Sequence, residues 1–494
     1  MSEIKNRKLV RQMGLVALTA TGICSMLGAS IYIVPFMIQR NVPDIGPYVL
    51  GAFAFAAIPA LFAALAYAIL SSAMPRAGGS YIYVSRGLNP FLGFIASFSQ
   101  WFGLSIVIGV ISYVIVPFIR DVAEGLELDK IAELLETGIV RVGFALCLLW
   151  AFVWVNIRGA KSYERVLIPM MVLMFGLGAI VIFAGFMHNQ VDFINALESK
   201  GENFIIVEKI EFNWTIFFTA AALLFSSFIG FDSIAQAGGE AKNPTTNLPK
   251  AILLAILGVG CFYFLFTAAV YHTVPWSYVA AESLNKDLTA PGLLSYVLPS
   301  YLGIAIILGA TIALINDLPA MLLSVSRLMF AWAEYGIFPS KIATVHPIRK
   351  TPLYALLIAG VMASIGILGS HFAGDFFLGV DIMVTAMLVN FLLICITLLV
   401  IPNVNPQLAN DISIFKNRTL QLAIAWLGII FLTGFLIIHT YKDIQSEVSA
   451  WYFHSTLIYL IVMTIGSTIF TYKWFQKKSD GKSIKDVFKT LPSE

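Results

Sequence analysis

Apolar residues dominate this chain in runs that are long enough to cross a lipid bilayer. A transmembrane helix needs about 20 consecutive apolar residues, and the runs between charged or Pro/Gly-rich breaks give about twelve candidates. The runs cover residues 13–38, 46–72, 91–119, 138–157, 166–187, 213–237, 250–273, 299–333, 353–372, 376–401, 419–440 and 452–474. The pattern predicts an all-α integral membrane protein, whose spans are numbered here in chain order.

Composition narrows the class of protein further. Hydrophobic residues make up 59% of the 494 residues and charged residues only 12%, against about 25% charged in soluble domains. This balance excludes soluble enzymes, secreted disulfide scaffolds, disordered chains and nucleic-acid binders. We therefore predict the lipid bilayer as a partner of the protein. The four cysteines (Cys24, Cys147, Cys261 and Cys395) lie in apolar runs without metal-ligand spacing. We therefore predict packing roles for them, with no metal site and no cofactor.

Positive charge distinguishes the two ends of the spans. If the N-terminus is cytoplasmic, the inner segments carry 23 of the 31 Lys and Arg residues. Because cytoplasmic loops are enriched in Lys and Arg, this bias predicts that both termini face the cytoplasm. No small-residue cleavage site follows the first apolar run, so span 1 is predicted to be an uncleaved helix.

Two spans carry small and polar residues halfway along their length. Span 1 contains the run Gly22–Ile31, and span 6 contains the run Phe225–Asp232. Irregular backbone at this depth survives only where it faces protein or a cavity, and its peptide groups can bind polar solutes. Spans 1 and 6 hold corresponding places in two five-helix halves, which predicts a 5+5 inverted repeat with both helices broken. Close packing through small residues is the alternative for span 1 alone.

The paired breaks carry the chemistry to hold an amino acid. A half-helix beginning after Gly28 would direct the amides of Ala29 and Ser30 at a carboxylate. Half-helices that end near Met26 and Phe228 would leave carbonyl groups for an ammonium. The predicted substrate-binding residues are Met26, Gly28, Ala29, Ser30, Ser226, Phe228, Ile229, Gly230 and Gln100.

The sequence leaves two interpretations open for each of three polar residues near the breaks. Ser226 either leaves room for a large substrate side chain or packs against a neighbouring helix. Gln100 either reaches the substrate side chain or makes an interhelical hydrogen bond, and the second is favoured. Asp232 is expected to cap a helix or to pair with an inner-loop Lys or Arg, rather than to contact substrate.

Four motifs make the chain resemble the amino acid–polyamine–organocation (APC) transporter superfamily. They are Gly22–Pro35, the connection from Ser72 to Tyr83, the signature Phe228–Asp232 with Gly239–Pro244, and Arg327 followed by Glu334–Pro339. The span 6 signature is most similar to the cationic amino acid transporter-like branch. The resemblance implies a LeuT-like fold of ten helices plus two peripheral ones. It implies a secondary active transporter of the plasma membrane that moves amino acids by alternating access, as a proton-coupled symporter or an exchanger.

Other functions remain open beside this one. An amine or polyamine transporter of the same fold is the nearest alternative, and a channel or a membrane-embedded enzyme would belong to other classes. No catalytic cluster or phosphate-binding motif is evident in the sequence, so we predict that the chain is not an enzyme. Residues 120–140 contain no cysteine, so an obligate disulfide-linked subunit is not expected.

The coupling ion has a separate candidate. Some members of the superfamily place a lysine midway along span 5, where this chain has Met174. Span 8 instead carries Asn316 and Asp317 before Pro319. An Asp at the centre of a span is costly unless it is paired, protonated or functional, so we predict that Asp317, with Asn316, is the proton- or sodium-linked group. An Asp held by a hydrogen-bond donor on a neighbouring helix is the alternative.

These predictions divide the chain into four parts. They are a cytoplasmic N-terminal segment (1–12), a ten-helix inverted-repeat transport core (13–401), two additional spans (402–474) and a basic cytoplasmic tail (475–494).

Overall fold

Twelve helices in the described part of the chain are long and apolar enough to cross a membrane. A computed structural model describes residues 9–201, 204, 210–285, 288–373, 376–448, 450–479, 488 and 490–491. The spans are Leu15–Asn41, Gly46–Ala73, Pro90–Gly125, Gly138–Ile157, Ala160–Met187, Trp214–Gln236, Pro244–Thr273, Tyr301–Glu334, Leu353–Phe372, Leu378–Val404, Arg418–Gln445 and Ser455–Gln476. The all-α membrane fold predicted from hydropathy is confirmed, whereas most of the tail 475–494 lies outside the described residues.

Spans 1 and 6 are both interrupted, as predicted. Span 1 consists of span 1a (Leu15–Met26) and span 1b (Ala29–Asn41), with Leu27 and Gly28 between them. Span 6 runs as an α-helix over Trp214–Leu224, tightens into a 3₁₀ turn at Phe225–Phe228, and resumes at Ser233–Gln236. The other ten spans have no such non-helical gap at mid-depth.

Short helices connect the spans. They are Gly79–Gly87, Asp129–Glu136, Gln190–Ser199, Gly238–Glu240, Trp276–Ser283, Ala290–Leu294, Ser340–Ala343, Pro406–Asn410 and Trp451–Phe453. The helix Gly79–Gly87 is buried along its whole length and has no counterpart in the sequence prediction. Glycine at its N-cap, Gly78, has a left-handed backbone with φ of 75°, which lets the chain turn sharply after span 2.

The interrupted spans lie at the centre of the helix bundle. In the most apolar stretch of span 1 every residue is buried. In the corresponding stretches of spans 3 and 8, 72% and 78% of the residues are buried. Spans 4 and 5 are buried over only 22%, so their apolar surface faces outward, where lipid would cover it. The centre of the bundle is therefore formed mainly by spans 1, 3, 6, 8 and 10.

The residues before span 1 pair with the loop after span 6. The amides of Gln12 and Met13 donate to the Glu240 carbonyl at 2.8 and 2.9 Å, and the Lys242 amide donates to the Met13 carbonyl at 2.8 Å. A second contact joins the connection after span 2 to span 6, where the Gly78 amide donates to the Gln236 carbonyl at 3.2 Å. These backbone bonds join the ends of spans 1, 2 and 6 to each other, and we call this set of contacts the loop seal.

Candidate functional site

A cavity lies beside the two interruptions. Its wall consists of Ser25, Met26, Val34, Val107, Ile111, Ser226, Ile229, Asp317, Met321, Val380 and Met383. Three of the predicted substrate-binding residues, Met26, Ser226 and Ile229, are in this wall together with the predicted coupling residue Asp317. The breaks in spans 1 and 6 thus open into the same space, although they are about 200 residues apart in the sequence.

The two interruptions touch through their backbones. Gly230 has a φ of 140°, a conformation that L side chains rarely adopt. A Cβ atom on Gly230 would collide with the carbonyl group of Ser25 and with the amide nitrogen of Met26. The hydroxyl groups of Ser25 and Ser233 are 3.0 Å apart and add a side-chain hydrogen bond to this contact. Glycine at 230 is therefore required both by the turn and by the close approach.

Span 1b begins where the sequence predicted. Gly28 is its N-cap and Ala29 its first residue, so the first amides of the helix have no carbonyl partner within it. The side chains of Ala29 and Ser30 lie outside the described residues. The carboxyl group of Asp317 packs directly against Gly28 and fills the space that a Cβ atom there would need. The predicted anion-binding element and the predicted coupling residue are therefore in contact.

Asp317 and Asn316 are both buried, with exposed fractions of 3% and 0%. The Asp317 Oδ1 and Asn316 Oδ1 atoms have no hydrogen-bond partner within the described residues. The Asn316 Nδ2 atom donates to the Cys24 sulfur at 2.8 Å, which ties span 8 to span 1a. Burying a carboxylate without a cationic partner costs free energy. Asp317 bears this cost at the wall of the cavity.

Two of the predicted substrate ligands have other partners. The Tyr263 hydroxyl of span 7 donates to the Met26 carbonyl, so this carbonyl is not free as predicted. The Phe228 ring packs against the rings of Phe53 and Tyr263, with centroids 5.3 and 5.8 Å away, and is absent from the cavity wall. The helix end at Met26 thus has its carbonyl group satisfied by a neighbouring side chain.

Gln100 lies in a buried hydrogen-bond network that supports span 6. Its Nε2 atom donates to Asp232, and its Oε1 atom accepts from Ser80 at 2.6 Å and from Gln236 at 3.1 Å. The other Asp232 oxygen accepts from the Gly230 amide at 3.1 Å. This is the interhelical alternative for Gln100, and the cavity wall does not include it. The Asp232 side chain accepts from Gly230 within the interruption and from Gln100; it makes no cap bond to the helix Ser233–Gln236 and no ion pair with an inner-loop Lys or Arg among the described residues.

The largest part of the cavity wall escaped the sequence analysis. Val107 and Ile111 of span 3, Met321 of span 8, and Val380 and Met383 of span 10 are apolar residues in apolar spans. Nothing in the sequence separates such residues from those that face lipid. Their presence shows that most of the cavity wall is apolar beside a few polar groups, which is the usual composition of a small-molecule site. Within the described residues, no cluster of His, Cys, Asp and Glu could hold a metal ion.

Comparison with known proteins agrees with this architecture. The sequence profile described as amino acid permease matches residues 13–467. The chain is 26% identical to the branched-chain amino acid permease BcaP of Bacillus subtilis over 73% of this chain and 75% of the relative. It is 27% identical to cationic amino acid transporter 4 of Mus musculus over 72% of this chain and 55% of the relative. It is 25% identical to the low-affinity putrescine importer PlaP of Escherichia coli over 64% and 66%.

The family match covers nearly the whole bundle, including both interrupted spans and the cavity wall between them. The relatives are permeases and importers of amino acids and amines. The chain therefore belongs to the amino acid permease family of APC-type membrane transporters.

Proposed function

We propose that this protein carries neutral aliphatic α-amino acids by alternating access, coupled to protons through Asp317. One observation carries the proposal: the two interrupted helices and a buried carboxyl group line one cavity whose remaining wall is apolar. The interruptions offer peptide groups to the carboxylate and ammonium that all α-amino acids share. The apolar wall suits an uncharged side chain.

The apolar wall also separates the candidate substrates. A side chain such as that of leucine buries its methyl groups against Val107, Ile111 and Met383, at about 0.8 kcal/mol for each buried CH₂. A lysine side chain or a diamine would place a second ammonium in the same wall. Burying a charge without a partner is costly, and Asp317 is the only carboxyl group among the described wall residues. The relative named as a branched-chain permease has a substrate of the favoured kind.

The loop seal supports alternating access. Backbone bonds at Glu240 and Met13 join spans 1 and 6 at the end that the charge bias assigns to the cytoplasm, where such a bond set would close the path from the cavity. Transport would require this seal to open after the substrate has bound, while the opposite end closes. We propose accordingly that both termini are cytoplasmic, that the protein lies in the plasma membrane, and that residues 13–401 form the transport core.

Uptake into proteoliposomes tests the proposal. Purified protein would be reconstituted with an inward proton gradient, and uptake of radiolabelled leucine, lysine and putrescine would be compared. We expect leucine to accumulate above its external concentration and a protonophore to abolish this accumulation. Preferred uptake of putrescine would make the protein an amine transporter, and a leucine flux that never exceeds equilibrium would contradict coupling.

A further inference from the structure

The Asp317 carboxyl group lies at the start of span 1b. It packs against Gly28, the N-cap residue, in the space where a side chain would otherwise be. Span 1b has 13 residues, so it carries the positive partial charge of a full helix N-terminus. Unsatisfied amides and this partial charge favour an anion at such a position.

The same position is the one that the sequence assigns to the substrate carboxylate. A second observation shows that the position is open to a ligand: Asp317 lines the cavity, and its Oδ1 atom is buried and has no partner within the described residues. The helix terminus therefore has one carboxyl group close to it already, supplied by the protein itself.

The groups facing Asp317 do not provide a cation. Span 1a presents the Cys24 thiol, whose sulfur accepts from Asn316. Span 7 presents the Tyr263 hydroxyl, which donates to the Met26 carbonyl. The wall residues of spans 3, 6 and 10 are uncharged. No ion pair to Asp317 is present among the described residues.

Two ionised carboxylates cannot share this position without strong repulsion. Like charges about 4 Å apart repel by about 4 kcal/mol at an effective dielectric constant near 20. A proton on Asp317 removes the repulsion, and the neutral group can then donate a hydrogen bond instead of accepting one. Substrate binding and proton binding are thereby made dependent on each other.

We propose that the Asp317 carboxylate and the substrate carboxylate compete for the N-terminus of span 1b, so that an amino acid binds only after Asp317 has taken up a proton. This inference rests on the proposed function and gives it a mechanism. One proton enters from the solution for each substrate bound, and no other bond changes. Release of the substrate on the opposite side lets Asp317 ionise and return to the helix terminus.

Isothermal titration with the full-length protein in detergent tests the competition. The dissociation constant of leucine would be measured from pH 5 to pH 9, in buffers of different ionisation enthalpy. We expect the affinity to fall about tenfold for each pH unit over the range in which Asp317 is ionised, with about one proton taken up per leucine bound. 3-Methylbutylamine, which is leucine without its carboxylate, should show no such fall because it does not compete with Asp317.

Two variants locate the effect. Asp317→Asn should bind leucine with an affinity that no longer changes with pH and that equals or exceeds the wild-type affinity at low pH. Asp121→Asn is the control, because it neutralises a carboxyl group that pairs with Arg120 at the surface and is not part of the cavity wall, so it should keep the wild-type affinity and pH slope. The wild-type series with leucine and the amine decides the question even if a variant does not fold.

The outcomes separate the inference from the proposed function. Leucine binding with no pH slope and no proton uptake would overturn the competition while leaving amino-acid transport intact. An equal slope for leucine and 3-methylbutylamine would also overturn it, since the carboxylate would then be irrelevant. Absence of binding for leucine and every other amino acid would instead contradict the proposed function.

Discussion

Arg327 donates to Glu240 across 2.6 Å, and their side chains are only 2% and 3% exposed. The pair joins span 8 to the loop after span 6, at the residue whose carbonyl also accepts from Gln12 and Met13. The Nε atom of Arg327 and the Oε2 atom of Glu240 have no partner within the described residues. The ion pair is therefore buried but incompletely bonded, and it lies beside the loop seal at Glu240.

Arg327→Ala should open the loop seal. It leaves the Glu240 carboxylate buried without its cation, which costs about 3–5 kcal/mol and is relieved when water enters. In an Ala237→Cys background, we expect labelling by a membrane-impermeant maleimide at the cytoplasmic face to become at least tenfold faster. Arg120→Ala is the matched control. Arg120 forms an ion pair of the same 2.6 Å length with Asp121, but the two side chains are 31% and 37% exposed. Exposed ion pairs contribute about 0–1 kcal/mol to stability. An equal rise in labelling rate in both variants would show that the pair Arg327–Glu240 does not hold the loop seal together.

Gly28→Ala should destabilise the protein because its methyl group collides with the Asp317 carboxyl group. We expect a lower melting temperature and no measurable leucine binding. The double variant Gly28→Ala with Asp317→Ala removes the collision and should recover the melting temperature. Gly143→Ala is the control, since a Cβ at Gly143 meets no atom within 4 Å and alanine is favoured over glycine in a helix by about 1 kcal/mol. Failure of the double variant to recover would show that Gly28 is needed for another reason.

Asp232→Asn should distort the interruption of span 6. Asp232 accepts from two donors, the Gln100 side-chain amide and the Gly230 backbone amide. Asn has only one acceptor oxygen, so its NH2 group must face one of these donors. We expect leucine affinity to fall about tenfold, the loss expected for about 1.4 kcal/mol. The double variant Asp232→Asn with Gln100→Glu places a carboxylate acceptor opposite the new amide donor. It should recover most of the leucine affinity.

The control for this network is Ser99→Ala in span 3. Ser99 donates to the Ala386 carbonyl at 2.8 Å and has no bond to span 6 among the described contacts. Its loss should change leucine affinity by less than about twofold, because the removed bond does not hold the interruption. A similar loss of affinity in Ser99→Ala and Asp232→Asn would show that the network contributes to stability in general and does not specifically hold the interruption of span 6.

Met383→Ala should enlarge the apolar side of the cavity. Removing the thioether leaves space for a larger side chain, so uptake of phenylalanine relative to leucine should rise about tenfold in a competition assay. Met463→Ala in span 12 is the control, because Met463 is also buried but is not part of the cavity wall. An unchanged ratio in Met383→Ala would place the substrate side chain elsewhere.

The spans and their interruptions could be predicted because each is a local property of the sequence. Hydropathy gives the spans, and the glycines at 28 and 230 mark backbone that cannot continue as a helix. The pair Glu240–Arg327 could not be predicted, since its residues are 87 positions apart and pairing depends on the packed bundle. The bond between Gln100 and Asp232 spans 132 positions for the same reason. The helix Gly79–Gly87 was missed because complete burial removes the polar face that gives a surface helix its periodicity.

The contact between Gly230 and the Ser25 carbonyl has a consequence for the number of independent motions in the transport cycle. Most helix contacts in proteins involve side chains, which can change rotamer and let one helix slide past another. Gly230 has no side chain, and the Ser25 group that it touches is backbone. Neither partner has a rotamer to change, so we expect the two interrupted segments to resist sliding past each other at this contact and to shift together there. In the proposed transport cycle, a substrate held between the two segments would then keep its contacts with both while they shift.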